Sequence, residues 1–153
     1  MVIIVKPTHL CNLRCQYCFI GDKRQENNII SLVLAKSLVR KVKNYLKASK
    51  RKNIKFIWHG GEPLLWGVEN FEQILKFCSN TLKDYKVRHS IQTNLTLIDQ
   101  DFVDLFKLYD VSVGFSLDGD CQLNDLTRVG VDGKGTFKLI EKKIELCRKN
   151  NLK

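Results

Sequence analysis

Cys11, Cys15 and Cys18 stand in one short stretch, Cys11-Asn12-Leu13-Arg14-Cys15-Gln16-Tyr17-Cys18, soon after an apolar run. Cysteine thiolates are the usual ligands of iron–sulfur clusters, and a four-iron cubane normally takes four of them. Three local ligands leave one iron with an open coordination position. An open position is what separates a catalytic metal site from a structural one, as zinc sites illustrate. Zinc is also the other reading of these residues, with His9 completing a Cys3His set.

Further along, His59-Gly60-Gly61-Glu62-Pro63 forms a compact polar loop. Gly60 and Gly61 lack a Cβ and let a ligand approach the backbone. Pro63 fixes its own φ and holds Glu62 extended, where its carboxylate offers charge-assisted hydrogen bonds. Arg128 carries a guanidinium fork that matches a carboxylate in a way lysine does not; the plainer alternative is an ion pair with Asp125. Ser116 is a polar residue at a strand end. Asn94 and Asp118 read equally well as ligand-facing groups or as a cap and a turn residue. His59 and Tyr17 read as site residues or as ordinary packing.

The elements that must position these residues alternate. A β-branched run at 2–6 predicts a buried strand. A polar stretch, 21–28, precedes a helix capped by Ser31, with Ala35, Leu38, Val39, Val42, Tyr45 and Leu46 on its apolar stripe. Strand 54–58 leads to helix 69–82, with Phe71, Ile74, Leu75 and Cys78 inward. Strand 88–93 leads to helix 99–108, with Phe102, Leu105 and Phe106 inward. Strand 111–117 is followed by a loop through Asp118, Gly119, Asp125 and Arg128. Helix 136–149 closes the chain, with Phe137, Ile140, Ile144 and Cys147 aligned. Cys78 and Cys147 read as core, where a thiol acts as a small hydrophobe. Such alternation predicts right-handed βαβ units and a parallel sheet. The cysteines, the Gly-Gly-Glu-Pro loop, Asn94 and the Ser116–Asp118 segment all follow C-terminal strand ends, the rim where α/β barrels build active sites.

The 153 residues suit one domain, 1–153, and 44% hydrophobic with 27% charged residues excludes a disordered chain. The first apolar run is too short for a signal peptide, and no apolar stretch reaches the ~18 residues of a membrane span, so the expected location is cytoplasmic. In that compartment clustered cysteines read as metal-binding or catalytic rather than as disulfides. The net charge of +10 is concentrated in Lys36 through Lys55. Its spacing reads as a solvated helix face more than as a nucleic-acid patch.

The motif of Cys11, Cys15, Tyr17 and Cys18 resembles the signature of the radical SAM enzymes. Gly60-Gly61-Glu62-Pro63 and Gln92-Thr93-Asn94 resemble the family's second- and third-strand motifs. Ser116-Leu117-Asp118-Gly119, Asn124-Asp125-x-x-Arg128 and Gly133-x-Gly135-Thr136-Phe137 are similar to a branch containing SPASM-type peptide modifiers and anaerobic sulfatase-maturating enzymes. Asn124 departs from the histidine common there, and Cys121 stands where proline or a polar residue is commoner. The resemblance implies a partial TIM-like barrel. Four of its usual six βα units are counted, as in the N-terminal part of a longer enzyme lacking its last strands and any SPASM extension. It implies a [4Fe-4S] cluster on Cys11, Cys15 and Cys18, and S-adenosylmethionine (AdoMet) on its open iron. It places Tyr17 on the adenine, His59, Gly60, Gly61 and Glu62 near the methionyl end, Arg128 at the carboxylate, Ser116 at the ribose or carboxylate, and Asn94 and Asp118 facing ribose or substrate. The implied partners are a peptide or protein substrate and an external electron donor of flavodoxin or ferredoxin type. The competing expectations are RNA as substrate, or a non-catalytic zinc or iron–sulfur fragment.

Overall fold

The computed structural model describes residues 1–21 and 28–153; most of the polar stretch expected at 21–28 lies outside them. Strands β1 (Val2–Thr8), β2 (Asn53–Gly60), β3 (Lys86–Thr93) and β4 (Val111–Phe115) form one sheet in the order β1-β2-β3-β4. Every pairing is parallel. Helices α1 (Leu32–Ala48), α2 (Val68–Thr81) and α3 (Gln100–Leu108) connect them, and α4 (Cys121–Thr127) and α5 (Phe137–Lys149) follow β4. The expected α/β architecture with parallel strands is therefore present. Among the described residues no helix is long and apolar enough to cross a membrane.

Local chemistry sets the helix starts. Ser31 accepts from the Leu34 N–H (3.2 Å) at α1, and Asp99 accepts from the Phe102 N–H (3.1 Å) at α3. The core lies between one face of the sheet and the helices. Phe56, Trp58 and Ile91 meet Ala35 and Val39 of α1, Phe71, Ile74 and Leu75 of α2, Phe106 of α3 and Ile140 of α5. Phe71 stands edge-on to Trp58 (5.5 Å) and Trp66 (5.2 Å), each contact worth about 1 kcal/mol beyond burial.

Four expectations are corrected. β1 is buried on one face only, with Val2 and Ile4 59% and 61% exposed. Tyr45 sits on the apolar stripe of α1 but is exposed. Strand β4 stops at Phe115, which leaves Ser116 and Leu117 in the following turn. The loop expected over 118–128 contains helix α4, capped by Asp120 accepting from the Leu123 N–H at 3.0 Å. Cys78 is fully buried as expected, whereas Cys147 is half-buried. The basic stretch is a solvated helix face for the most part; Lys36 and Arg40 lie over the Phe77 ring at 5.8 and 5.1 Å.

Candidate cofactor site

At the C-terminal rim of the sheet lies a cavity of about 160 Å³. It is lined by Cys11, Cys15, Tyr17 and Cys18 from the cysteine loop, by His59, Gly60 and Gly61 after β2, and by Asn94, Ser116 and Arg128 after β3 and β4. Gln92 and Thr93 also line it. Of the expected ligand-facing residues, Glu62 and Asp118 do not line it.

The cysteine loop is pinned to the segment that carries Arg128. Arg14 N–H donates to the Val129 carbonyl (2.8 Å) and Gln16 N–H to the Thr127 carbonyl (2.9 Å), beside a bridge between Leu13 and Gly130. From the other side, the glycine loop grips the run into Cys11. Gly61 N–H donates to the Thr8 carbonyl (2.9 Å) and Glu62 N–H to the Leu10 carbonyl (2.7 Å). A Cβ on Gly61 would collide with the His9 and Leu10 carbonyls. This glycine is required by the approach of its own chain.

Glu62 is fully buried. It accepts from Thr93 Oγ1 (2.6 Å), the Leu64 N–H (3.0 Å) and the Asn94 N–H (2.7 Å). Burial pushes its carboxyl up; these three donors and Arg128 pull it back. Instead of facing a ligand, it ties the β2 loop to the end of β3. Asn94, next to it, donates through Nδ2 to Asn12 Oδ1 (2.9 Å) and to Cys11 Sγ (3.7 Å), and its Oδ1 accepts from Thr96. Hydrogen bonds to cluster sulfur are one of the ways proteins set a cluster's potential.

The Tyr17 hydroxyl donates to Asp118 Oδ2 (2.5 Å) and accepts from Arg128 Nη1 (2.7 Å). Burial and the Asp118 hydrogen bond push this phenol up. Thr127 Oγ1 adds a 2.9 Å bond to the same Asp118 oxygen, and Arg128 lies 3.9 Å from the other. Asp125 is not Arg128's partner: it accepts from the Phe137 N–H (2.8 Å) at the start of α5. Arg128 is only 6% exposed, and its Nε is the one buried side-chain nitrogen or oxygen among the described residues without a hydrogen-bond partner. Ser116 Oγ accepts from Gln92 Nε2 (3.1 Å), and His59 Nδ1 accepts from the Gly60 N–H (2.6 Å). Gln92 was visible only as part of a motif. Its signal was Gly114, where a Cβ would stand 2.7 Å from Gln92 Oε1.

None of the six cysteines is in a disulfide. Burial pushes the Cys11 thiol up to about 11, with the charges of Glu62 and Cys15 adding. Burial also raises Cys15, with Cys18 and Asp118 adding and Arg128 opposing. With Cys11 and Cys15 both raised, a cation is needed to hold them ionised, and bound iron or zinc deprotonates thiols outright. The donor chemistry therefore fits an iron–sulfur group. Among the described residues no three His, Cys, Asp or Glu side chains converge as a single-ion site, and His9 does not line the cavity. In a cubane each thiolate binds its own iron, so the sulfurs flank a shared core rather than one point.

Residues 5–153 match the family model described as the radical SAM superfamily. The Synechocystis protein sll1766 is 35% identical over 99% of this chain and 38% of its own length. The cysteine-type anaerobic sulfatase-maturating enzyme of Clostridium perfringens strain 13 is 32% identical over 96% of this chain and 40% of its own. The solved structure of native anSMEcpe with bound AdoMet and Cp18Cys peptide is similar at a TM-score of 0.89 and 31% identity, over 99% of this chain and 41% of that one. The chain spans about two-fifths of the length of these relatives. With a family match running from Val5 to the last residue, and a cysteine-lined rim where that family places its chemistry, this chain belongs to the radical SAM superfamily.

Proposed function

We propose that this chain supplies the cluster- and AdoMet-binding part of an enzyme that modifies a peptide or protein side chain. The observation that carries this reading is the shared cavity: three cysteines and a buried guanidinium with an unpartnered Nε line it together. Two relatives add support, one a cysteine-type sulfatase-maturating enzyme and one solved with AdoMet and a peptide bound.

Cys11, Cys15 and Cys18 would hold a [4Fe-4S] cluster, and Asn94 would donate to the Cys11 sulfur. Cluster and AdoMet would supply the chemistry: one electron from a flavodoxin- or ferredoxin-type donor would cleave AdoMet to methionine and a 5′-deoxyadenosyl radical able to take hydrogen from the substrate. The chain's own groups bind and orient. Arg128 offers its Nε–H to the methionyl carboxylate while Tyr17 and Asp118 fix its other end. Ser116, steadied by Gln92, offers its hydroxyl to carboxylate or ribose. Gly60 and Gly61 present bare backbone to the methionyl ammonium, with His59 beside them, and the Tyr17 ring faces the adenine. Glu62 holds the loop in place from behind.

Anaerobic reconstitution with iron and sulfide tests this. The chain is expected to take up about four iron and four sulfide and to bind AdoMet. After reduction it is expected to release 5′-deoxyadenosine. Replacing Cys11, Cys15 and Cys18 by alanine is expected to abolish the uptake. Retention of the same brown chromophore by the triple variant, or uptake of zinc without sulfide, overturns the reading.

A further inference from the structure

Among the described residues, the helices cover one face of the sheet and leave the other open. Phe56, Trp58, His89 and Ile91 point into the core, so their neighbours along each strand point the other way. Across that face Val2 lies beside Lys55 and Lys55 beside Arg88, while Ile4 lies beside Ile57, then Ser90, then Ser112. Lys86 stands below Arg88, and Lys6 stands above Ile4. Lys6, Lys55, Lys86 and Arg88 are all exposed. No strand contains an aspartate or glutamate. The ion pairs among the described residues are Arg128–Asp118, Lys134–Asp132 and Lys153–Asp110. None of these ion pairs involves Lys6, Lys55, Lys86 or Arg88.

Parallel sheets are ordinarily covered on both faces, and barrel interiors are filled by branched apolar side chains. A face with this many cations becomes costly when covered unless anions arrive with the cover. The face also runs into the cavity: His59 and Gln92, at its upper end, line the cavity wall.

We infer that this face binds an acidic segment of the polypeptide substrate, an inference that rests on the peptide-modifying reading above. Lys55 lies four residues below His59 on β2, a separation of about 13 Å along a strand. An extended peptide running down this face with its reacting residue level with His59 would therefore present its fourth neighbour to Lys55 and Arg88. The proposed recognition element is a carboxylate about four positions from the modified residue.

The test uses the full 153-residue chain and a fluorescein-labelled nine-residue peptide. A central cysteine stands among Gly and Ser, with Asp four residues to either side, and the control has Asn in place of Asp. Anisotropy is expected to show roughly ten-fold tighter binding of the Asp peptide at low salt, a preference that shrinks as salt rises. The double variant Lys55→Glu/Arg88→Glu is expected to erase the preference. Lys43→Glu/Lys47→Glu, on the exposed side of α1, is expected to keep it. Thermal unfolding confirms that both variants fold. Equal binding of the Asp and Asn peptides overturns the inference. So does equal loss in both double variants, which would mark a general effect of net charge. Tighter competition by a single-stranded RNA oligomer than by the Asp peptide overturns it as well. The assay needs neither cluster nor AdoMet, so its failure leaves the radical chemistry standing. Retained Asp preference without AdoMet cleavage would do the reverse.

Discussion

Glu62 keeps its carboxylate out of water altogether, a position that stays favourable only while its acceptor capacity is filled. Thr93, Asn94 and Leu64 fill it. Glu62→Gln keeps the shape but turns one acceptor into a donor facing donors. Its expected cost is about 2 kcal/mol of folding stability in urea titration, with the AdoMet dissociation constant of the reconstituted protein nearly unchanged. Loss of AdoMet affinity at unchanged stability would return Glu62 to the cavity. The sequence marks Glu62 as special because it sits in a tight Gly-Gly-Glu-Pro turn. It does not say which way the carboxylate points, because that depends on how the ends of β2 and β3 meet. Arg128 was singled out by residue type, a guanidinium suited to anions; its hold by Tyr17, 111 positions away in the chain, is a contact that no local pattern shows.

Among the elements, the alternation of strand and helix was legible because each helix carries its own apolar stripe and each strand a short β-branched or aromatic run. Helix α4 was not. Its leucines, Leu123 and Leu126, are 59% and 63% exposed, and its one buried residue is Asn124. A helix that buries a polar side chain leaves no amphipathic signal to find. The exposure of Val2 and Ile4 was missed for the opposite reason: an unbroken apolar run predicts burial on both faces. The cysteine loop is positioned by two such elements at once, the glycine turn on one side and the 126–130 segment on the other. Gly61→Ala tests the first of these contacts. The added methyl meets backbone carbonyls, which have nowhere to retreat. A loss of about 3 kcal/mol in stability is expected, together with reduced iron and sulfide uptake. Ser116→Ala, in the same cavity and free of such a collision, is expected to leave uptake intact.

Among the described residues the sheet is asymmetric, with one face covered by helices and the other open and basic. The sealed side contains His89, stacked on Phe56 at 5.4 Å and accepting through Nδ1 from Trp58 Nε1 at 3.4 Å. Burial pushes its imidazole down to about 4, against roughly 6.5 in the unfolded chain. Between these values the unfolded state binds the proton and the folded state does not, so stability rises with pH across that window and falls as pH drops through it. The full contribution is present above about pH 7 and is lost by pH 4. From pH 6.5 to pH 5 the loss from this one group approaches about 2 kcal/mol. Carboxylates titrate in the same range, so the informative quantity is the difference between the wild-type chain and His89→Phe. That variant loses the Trp58 hydrogen bond equally at every pH and leaves nothing to protonate. Urea unfolding at pH 7, 6 and 5 is expected to show the two stability curves drawing together as pH falls. Parallel curves would mean that the interior on the helical side admits a charged imidazole, and that the seal between sheet and helices is looser than its packing implies.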